Sequence, residues 1–154
     1  MAAYFFDSSA LVKRYATEVG TAWVMGIFRP LAANRIYVVQ TTLVEVIAAL
    51  TRRTRGGRLK PAATARAIVR FRRAFTQKFR KVSAVNPLIE KAALLAEKHA
   101  LRGYDAVQLA AALQVNARRL AKGATPITLI SADIALNAAA VAEGLAVDNP
   151  NSHP

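Results

Sequence analysis

The sequence has no cysteine among its 154 residues, which excludes a disulfide framework, a zinc–thiolate centre and a thiol nucleophile. A reducing, cytoplasmic setting is the expectation that fits. Histidine is nearly absent too. His99 falls in a charged helical stretch and His153 at the C-terminal end, and neither suits paired-histidine hydrolysis or a Ser-His-Asp triad. No P-loop or Gly-x-Gly-x-x-Gly pattern occurs, so no nucleotide cofactor is indicated. Long apolar runs are also missing. The run from Met1 to Phe6 is stopped by Asp7, short of the roughly 7–15 apolar residues of a secretory segment. Ile134–Val147 contains Asn137, Glu143 and Gly144 and is shorter than the about 20 residues that span a bilayer. No membrane partner is expected.

Acidic residues are the scarcest of the charged types. Nine Asp and Glu stand against 22 Lys and Arg, a net charge of +13. Such a chain favours a polyanion as partner. With 54% apolar residues it also has ample material for a core.

No repeat or long linker divides the sequence, so one domain is expected over residues 1–150, with 151–154 as a tail. Ala3–Phe6 reads as a buried strand, followed by a helix capped by Ser8 or Ser9 and running to about Ala16. A short helix is expected over Thr21–Phe28 and a strand over Arg35–Gln40. A helix then runs from Thr41 or Thr42 to the Gly56-Gly57 pair, and another from Pro61 to about Arg80. A strand over Lys81–Val85 precedes a helix opened by Asn86-Pro87 and broken at Gly103. Tyr104–Ala121 is an alanine-rich helix, Ile127–Ile130 a strand, Ala132–Glu143 a helix and Leu145–Val147 a last strand. Alternation of strands and helices predicts a three-layer α/β/α sandwich around a mostly parallel sheet. In that architecture ligands collect outside the carboxyl ends of the strands.

Four acids occupy informative places. Asp7 directly follows the first strand and Asp133 the fourth. Glu45 interrupts the apolar run Leu43–Leu50 with no Lys or Arg within four residues, and Asp105 opens the alanine-rich helix, where the macrodipole favours negative charge. Taken singly each fits an ordinary role: a helix cap, a helix edge, a first-turn acid, a turn residue. Together, converging carboxylates repel one another unless a cation intervenes. Oxygen donors suit magnesium or manganese, and such a cluster supports phosphodiester hydrolysis. Glu18, Glu90, Glu97 and Glu143 read as surface acids. Asp148 follows the last strand and reads either as a surface acid or as one that approaches the same edge.

These residues carry a resemblance. Asp7-Ser8-Ser9-Ala10-Leu11-Val12-Lys13, the helical Glu45, Tyr104-Asp105-Ala106 and Ser131-Ala132-Asp133 resemble the four acidic motifs of PIN-domain ribonucleases. The tail Gly144–Pro150 is similar to that of VapC toxins of type II toxin–antitoxin systems. The likeness covers Ala3 to about Pro150. It implies Mg²⁺- or Mn²⁺-dependent cleavage of RNA, with the metal held by Asp7 and Asp105 and with Glu45 and Asp133 acting directly or through water. It also implies supporting hydroxyls at Ser9 and Ser131, a homodimer, and a VapB-like antitoxin that blocks the site, in one arrangement with an arginine.

Two other features bear on partners. Arg52, Arg53, Arg55 and Arg58 form a basic cluster suited to RNA phosphates, or a solvated turn. Ile68, Phe71, Phe75 and Phe79 form a stripe at helical spacing, which reads more naturally as core than as a seat for an antitoxin helix. Two alternatives remain beside the toxin reading: a non-catalytic nucleic-acid-binding module, and a nuclease of the same fold acting in RNA processing or on DNA.

Overall fold

The first strand, β1 (Ala3–Phe6), sends alternate side chains to opposite faces of the sheet, as strand geometry requires. Ala3 and Phe5 enter one core, and Phe6 enters the other with Tyr4 packed against it. The computed structural model describes residues 1–154. Four further strands join β1: β2 (Arg35–Val39), β3 (Arg80–Val82), β4 (Thr128–Ile130) and β5 (Ala146–Asp148). All neighbours pair in parallel, in the order β3-β2-β1-β4-β5.

Parallel strands need helical crossovers, and these cover both faces. One face carries the short α1 (Ser8–Leu11), α2 (Thr21–Ile27), α3 (Thr42–Arg55) and α4 (Pro61–Gln77). The other carries α5 (Asn86–His99), α6 (Gly103–Ala121) and α7 (Ile134–Ala142). The expected α/β/α sandwich is therefore present, with an entirely parallel sheet. The Phe71, Phe75 and Phe79 stripe lies in the core beneath α4 and is at most 6% exposed, so it offers no seat to a partner.

Several boundaries differ from expectation. The first helix ends at Leu11 and tightens into a 3₁₀ turn over Val12–Arg14 rather than continuing to Ala16. Its cap is Asp7, not Ser8 or Ser9: the Asp7 carboxylate accepts from the Ser9 amide. The helix from Pro61 stops at Gln77 because Arg80–Val82 pairs with Tyr37–Val39. The Lys81 ammonium donates to the freed carbonyls of Phe75 and Thr76. Ala100, in the left-handed region (φ 52°), ends α5, and Gly103 is already the first residue of α6. At the C-terminus, Pro150–Ser152 forms a 3₁₀ turn. His153 stacks on Trp23 of α2 with ring centroids 4.1 Å apart.

The chain builds β1, β2 and β3 outward, then returns to the other side of β1 for β4 and β5. The order reverses between β1 and β4, and at such a switch point the loops leaving the strands open a crevice. Asp7 and Ser131 are the first residues beyond those two strands. The Asp7 amide donates to the Ile130 carbonyl at 3.0 Å, tying the two strand ends together.

Candidate acidic site at the sheet switch point

The crevice is a cleft of about 400 Å³ whose lining includes Asp7, Glu45, Asp105 and Asp133. Four elements supply them: the β1–α1 junction, the first turn of α3, the first turn of α6 and the cap of α7. All four acids are thus brought to one opening.

Asp7 is 2% exposed and has no cationic partner. Its Oδ2 accepts from the Ser9 hydroxyl at 2.5 Å, the Ser9 amide at 3.2 Å and the Ser131 hydroxyl at 3.2 Å. Burial pushes its carboxyl up to about 6. The Ser9 hydrogen bonds oppose the rise, and the charges of Glu45 and Asp105 add to it. Both hydroxyls do a second task. Ser9 Oγ accepts from the Ala132 amide at 3.0 Å, and Ser131 Oγ accepts from the Asp133 amide at 3.1 Å. Ser9 and Ser131 thus hold the Asp7 carboxylate against the β4–α7 loop.

Glu45 finds its partners among neutral groups. The Ser8 hydroxyl donates to Oε2 at 2.7 Å, and the Gln108 amide nitrogen donates to Oε1 at 3.1 Å and to Oε2 at 3.3 Å. Gln108 is fully buried, donates also to Thr42 Oγ1, and leaves its own Oε1 without a partner. Asp105 and Asp133 share Arg102, whose Nε meets Asp105 Oδ2 and whose Nη2 meets Asp133 Oδ2, each at 2.9 Å. These bonds hold the guanidinium above its ordinary value. Asp133 Oδ1 meanwhile caps α7 by accepting from the Leu136 amide.

The donor set consists of hard oxygens under mutual repulsion, which fits a divalent cation of the magnesium type. No three Asp, Glu or His side chains are arranged to hold an ion unaided.

Ser8, Gln108 and Arg102 were not legible as site residues. Gln108 does carry a signal: it lies three residues after Asp105, on the same helix face, and it is a polar side chain inside an alanine- and leucine-rich run. Arg102 precedes Asp105 by three and sits at the helix cap.

Of the basic cluster, Arg52 and Arg53 line the cleft, while Arg55 and Arg58 are exposed beyond it. Arg53 is tied by Nε to Glu18 at 2.5 Å and by Nη1 to the Ala49 carbonyl. Lys13 meets the same glutamate at 3.4 Å. Glu18 is accordingly an ion-pair centre rather than an unpaired surface acid. Burial alone would raise its carboxyl, but Arg53 and Lys13 outweigh it and hold the group below the usual range. Glu143 likewise is partnered, by Lys98 and His99. Asp148 turns to His153 at 2.8 Å and does not line the cleft.

A family model described as PIN domain matches residues 4–142. No curated protein matches by sequence. Among solved structures, the chain is similar to FitAcB from Neisseria gonorrhoeae, at 17% identity over 96% of this chain and 97% of that one, with a TM-score of 0.64. It is similar to VapC20 of Mycobacterium tuberculosis, described as a sarcin-ricin loop cleaving toxin, at 16% identity, 98% and 99% coverage and a TM-score of 0.63. A toxin–antitoxin complex from Klebsiella pneumoniae matches at 17% identity, 96% and 97% coverage and a TM-score of 0.55. At these identities the likeness concerns the fold.

Proposed function

The chain belongs to the PIN-domain family, and we propose that it is a divalent-metal-dependent endoribonuclease acting as the toxin of a toxin–antitoxin pair. One observation carries the reading: Asp7, Glu45, Asp105 and Asp133, from four separate elements, line a single cleft at the switch point of a parallel sheet. The net charge of +13 supports a nucleic-acid substrate. The shared fold with VapC20 and with a toxin–antitoxin complex supports the toxin role.

Asp7 and Asp105 would hold the metal, Mg²⁺ or Mn²⁺, with Glu45 and Asp133 completing the pocket directly or through water. When bound, the ion supplies polarisation of the phosphodiester and a more acidic water. The protein's own part is positioning. Ser9 and Ser131 aim the Asp7 carboxylate, Ser8 and Gln108 aim Glu45, and the α6 and α7 amino termini place Asp105 and Asp133. Arg52 and Arg53 on the wall, with Arg55 and Arg58 beyond, would attract the phosphate backbone that four carboxylates repel. We place the protein in the cytoplasm, as a homodimer held inactive by a VapB-like antitoxin. The fork that Arg102 occupies between Asp105 and Asp133 suits an arginine from such a partner equally well. No helix is long and apolar enough to cross a membrane.

The test is cleavage of RNA by the purified protein in Mg²⁺, in Mn²⁺ and in chelator, beside the Asp7→Asn and Asp105→Asn variants. Cleavage should need the metal, and each variant should abolish it and relieve growth arrest on expression. Unchanged cleavage by both variants removes the reading, and salt-sensitive binding without turnover replaces it with a non-catalytic module. Comparing transfer, ribosomal and messenger RNA with single-stranded DNA separates a toxin from a processing or DNA-directed nuclease.

A further inference from the structure

At the opposite edge of the sheet, where β2 and β3 begin, a groove of about 290 Å³ lies against the C-terminal half of α6. Its polar lining is almost wholly cationic: Arg35, Arg80, Lys81, Arg118, Arg119 and Lys122, with no acid among its ten lining residues. None of the six takes part in any ion pair of the structure.

The cations form two rows. Arg35 and Arg80 stand at the first positions of adjacent parallel strands. Arg118 and Lys122, four apart, share one face of the end of α6. Between the rows Arg119 is 9% exposed. Its guanidinium is held only by neutral oxygens: the Thr125 carbonyl at 2.7 Å, Thr125 Oγ1 at 3.0 Å and the Tyr37 hydroxyl at 3.2 Å. A buried charge without an opposite charge is costly, and like charges gathered around it add repulsion. A polyanion lying along the groove, between two positively charged walls, relieves both.

We propose that this groove is a second nucleic-acid-binding site, taking the sugar–phosphate backbone of a substrate RNA at the amino edge of the sheet. The choice of RNA rests on the ribonuclease reading. Phosphate is favoured over an acidic protein because guanidinium forks match phosphate oxygens. A protein partner would also need apolar anchors; of the groove's apolar residues Val82 and Val115 are buried, Ala124 is small, and the half-buried Tyr37 has its hydroxyl bound to Arg119. The acidic cleft lies beyond the far ends of the strands, so the two are separated by at least the length of β2, about 13 Å at roughly 3.3 Å per residue. A short oligonucleotide in the cleft would therefore leave the groove empty, whereas a long or folded RNA reaches both.

The test uses the cleavage-inactive Asp7→Asn protein, so that binding is read without turnover. Its affinity for a structured RNA is measured across a range of salt, with and without Arg80→Ala, Arg118→Ala and Lys122→Ala together. The triple variant should bind more weakly, and the slope of log affinity against log salt should fall by about 2–3, three contacts at roughly 0.7–0.9 each. In the otherwise wild-type protein the same triple variant should raise KM for the structured RNA and leave cleavage of a short oligonucleotide unchanged. An unchanged salt slope overturns the proposal. So does an equal loss on removing three exposed cations elsewhere, Arg66, Arg72 and Lys91, since that would mean diffuse charge alone. Failure of the wild type to cleave any RNA would count against the nuclease reading and not against this binding result.

Discussion

The Ser131 hydroxyl donates to Asp7 Oδ2 at 3.2 Å across 124 positions of sequence. Ser131 is fully buried and also accepts from the Asp133 amide, so one side chain sets the spacing between the loop after β1 and the loop after β4. Ser131→Ala leaves the Asp133 amide without its acceptor and frees the Asp7 carboxylate to turn. The expected outcome is a loss of about 1–3 kcal/mol in urea unfolding with a fall in kcat larger than any change in KM. Full activity in Ser131→Ala would mean that Asp7 needs no such alignment.

Asp7 carries a cost that its own removal should reveal. In the unfolded chain its carboxyl releases a proton near 3.8, and in the folded protein at about 6. Between those values the unfolded state binds fewer protons, so the contribution to stability falls as pH rises and is flat above about 6. At roughly 1.4 kcal/mol per pH unit the penalty at neutral pH is of the order of 3 kcal/mol. In chelator at pH 7, Asp7→Asn should therefore be more stable than wild type. The difference between the two stability curves should grow between pH 4 and 6. Equal loss of stability at pH 4 and pH 7 would contradict this.

Arg102 bridges Asp105 and Asp133 from a side chain that is 77% exposed, so it competes with a cation for those oxygens without anchoring the fold. Arg102→Ala should leave the melting temperature nearly unchanged and tighten Mn²⁺ binding several-fold by calorimetry. Weaker Mn²⁺ binding in this variant would instead mark Arg102 as a positioning group for the carboxylates.

Gln108 holds Glu45 by an amide rather than a charge. Gln108→Glu sets a second carboxylate against it, and repulsion then raises the pKa of the pair. The variant should lose stability above the ordinary carboxylate range, recover it on acidification, and lose activity. An unaltered pH–stability curve would show that the two side chains are not coupled.

Legibility in the sequence depends on which physics fixes each feature. Asp7 and Asp133 are visible because a strand end followed by an acid is a local pattern. Glu45 is visible because an ionised acid inside an apolar run must find a partner or a cation. The sandwich follows from alternating periodicities. Ser8 and Gln108 are not visible as partners of Glu45, because their meeting depends on how α1, α3 and α6 rotate about the sheet. The Glu18 pairing with Arg53 and Lys13 depends on the same tertiary packing. The end of α4 falls short of its helical pattern, which continues past Gln77, because strand pairing of Arg80 with Tyr37 overrides it. The basic groove beyond β2 and β3 draws on residues from Arg35 to Lys122 and has no local signature.

The proposed chemistry turns on whether Asp7 and Asp105, from distant parts of the chain, hold one divalent cation in the cleft that Glu45 and Asp133 also line. Equilibrium binding of Mn²⁺, followed by electron paramagnetic resonance on the apo protein, tests that without reference to any substrate. Saturable binding in the wild type, lost in Asp7→Asn and in Asp105→Asn while both variants remain folded, is the predicted result. Mn²⁺ affinity unchanged in both variants, or no saturable binding at all, would contradict it.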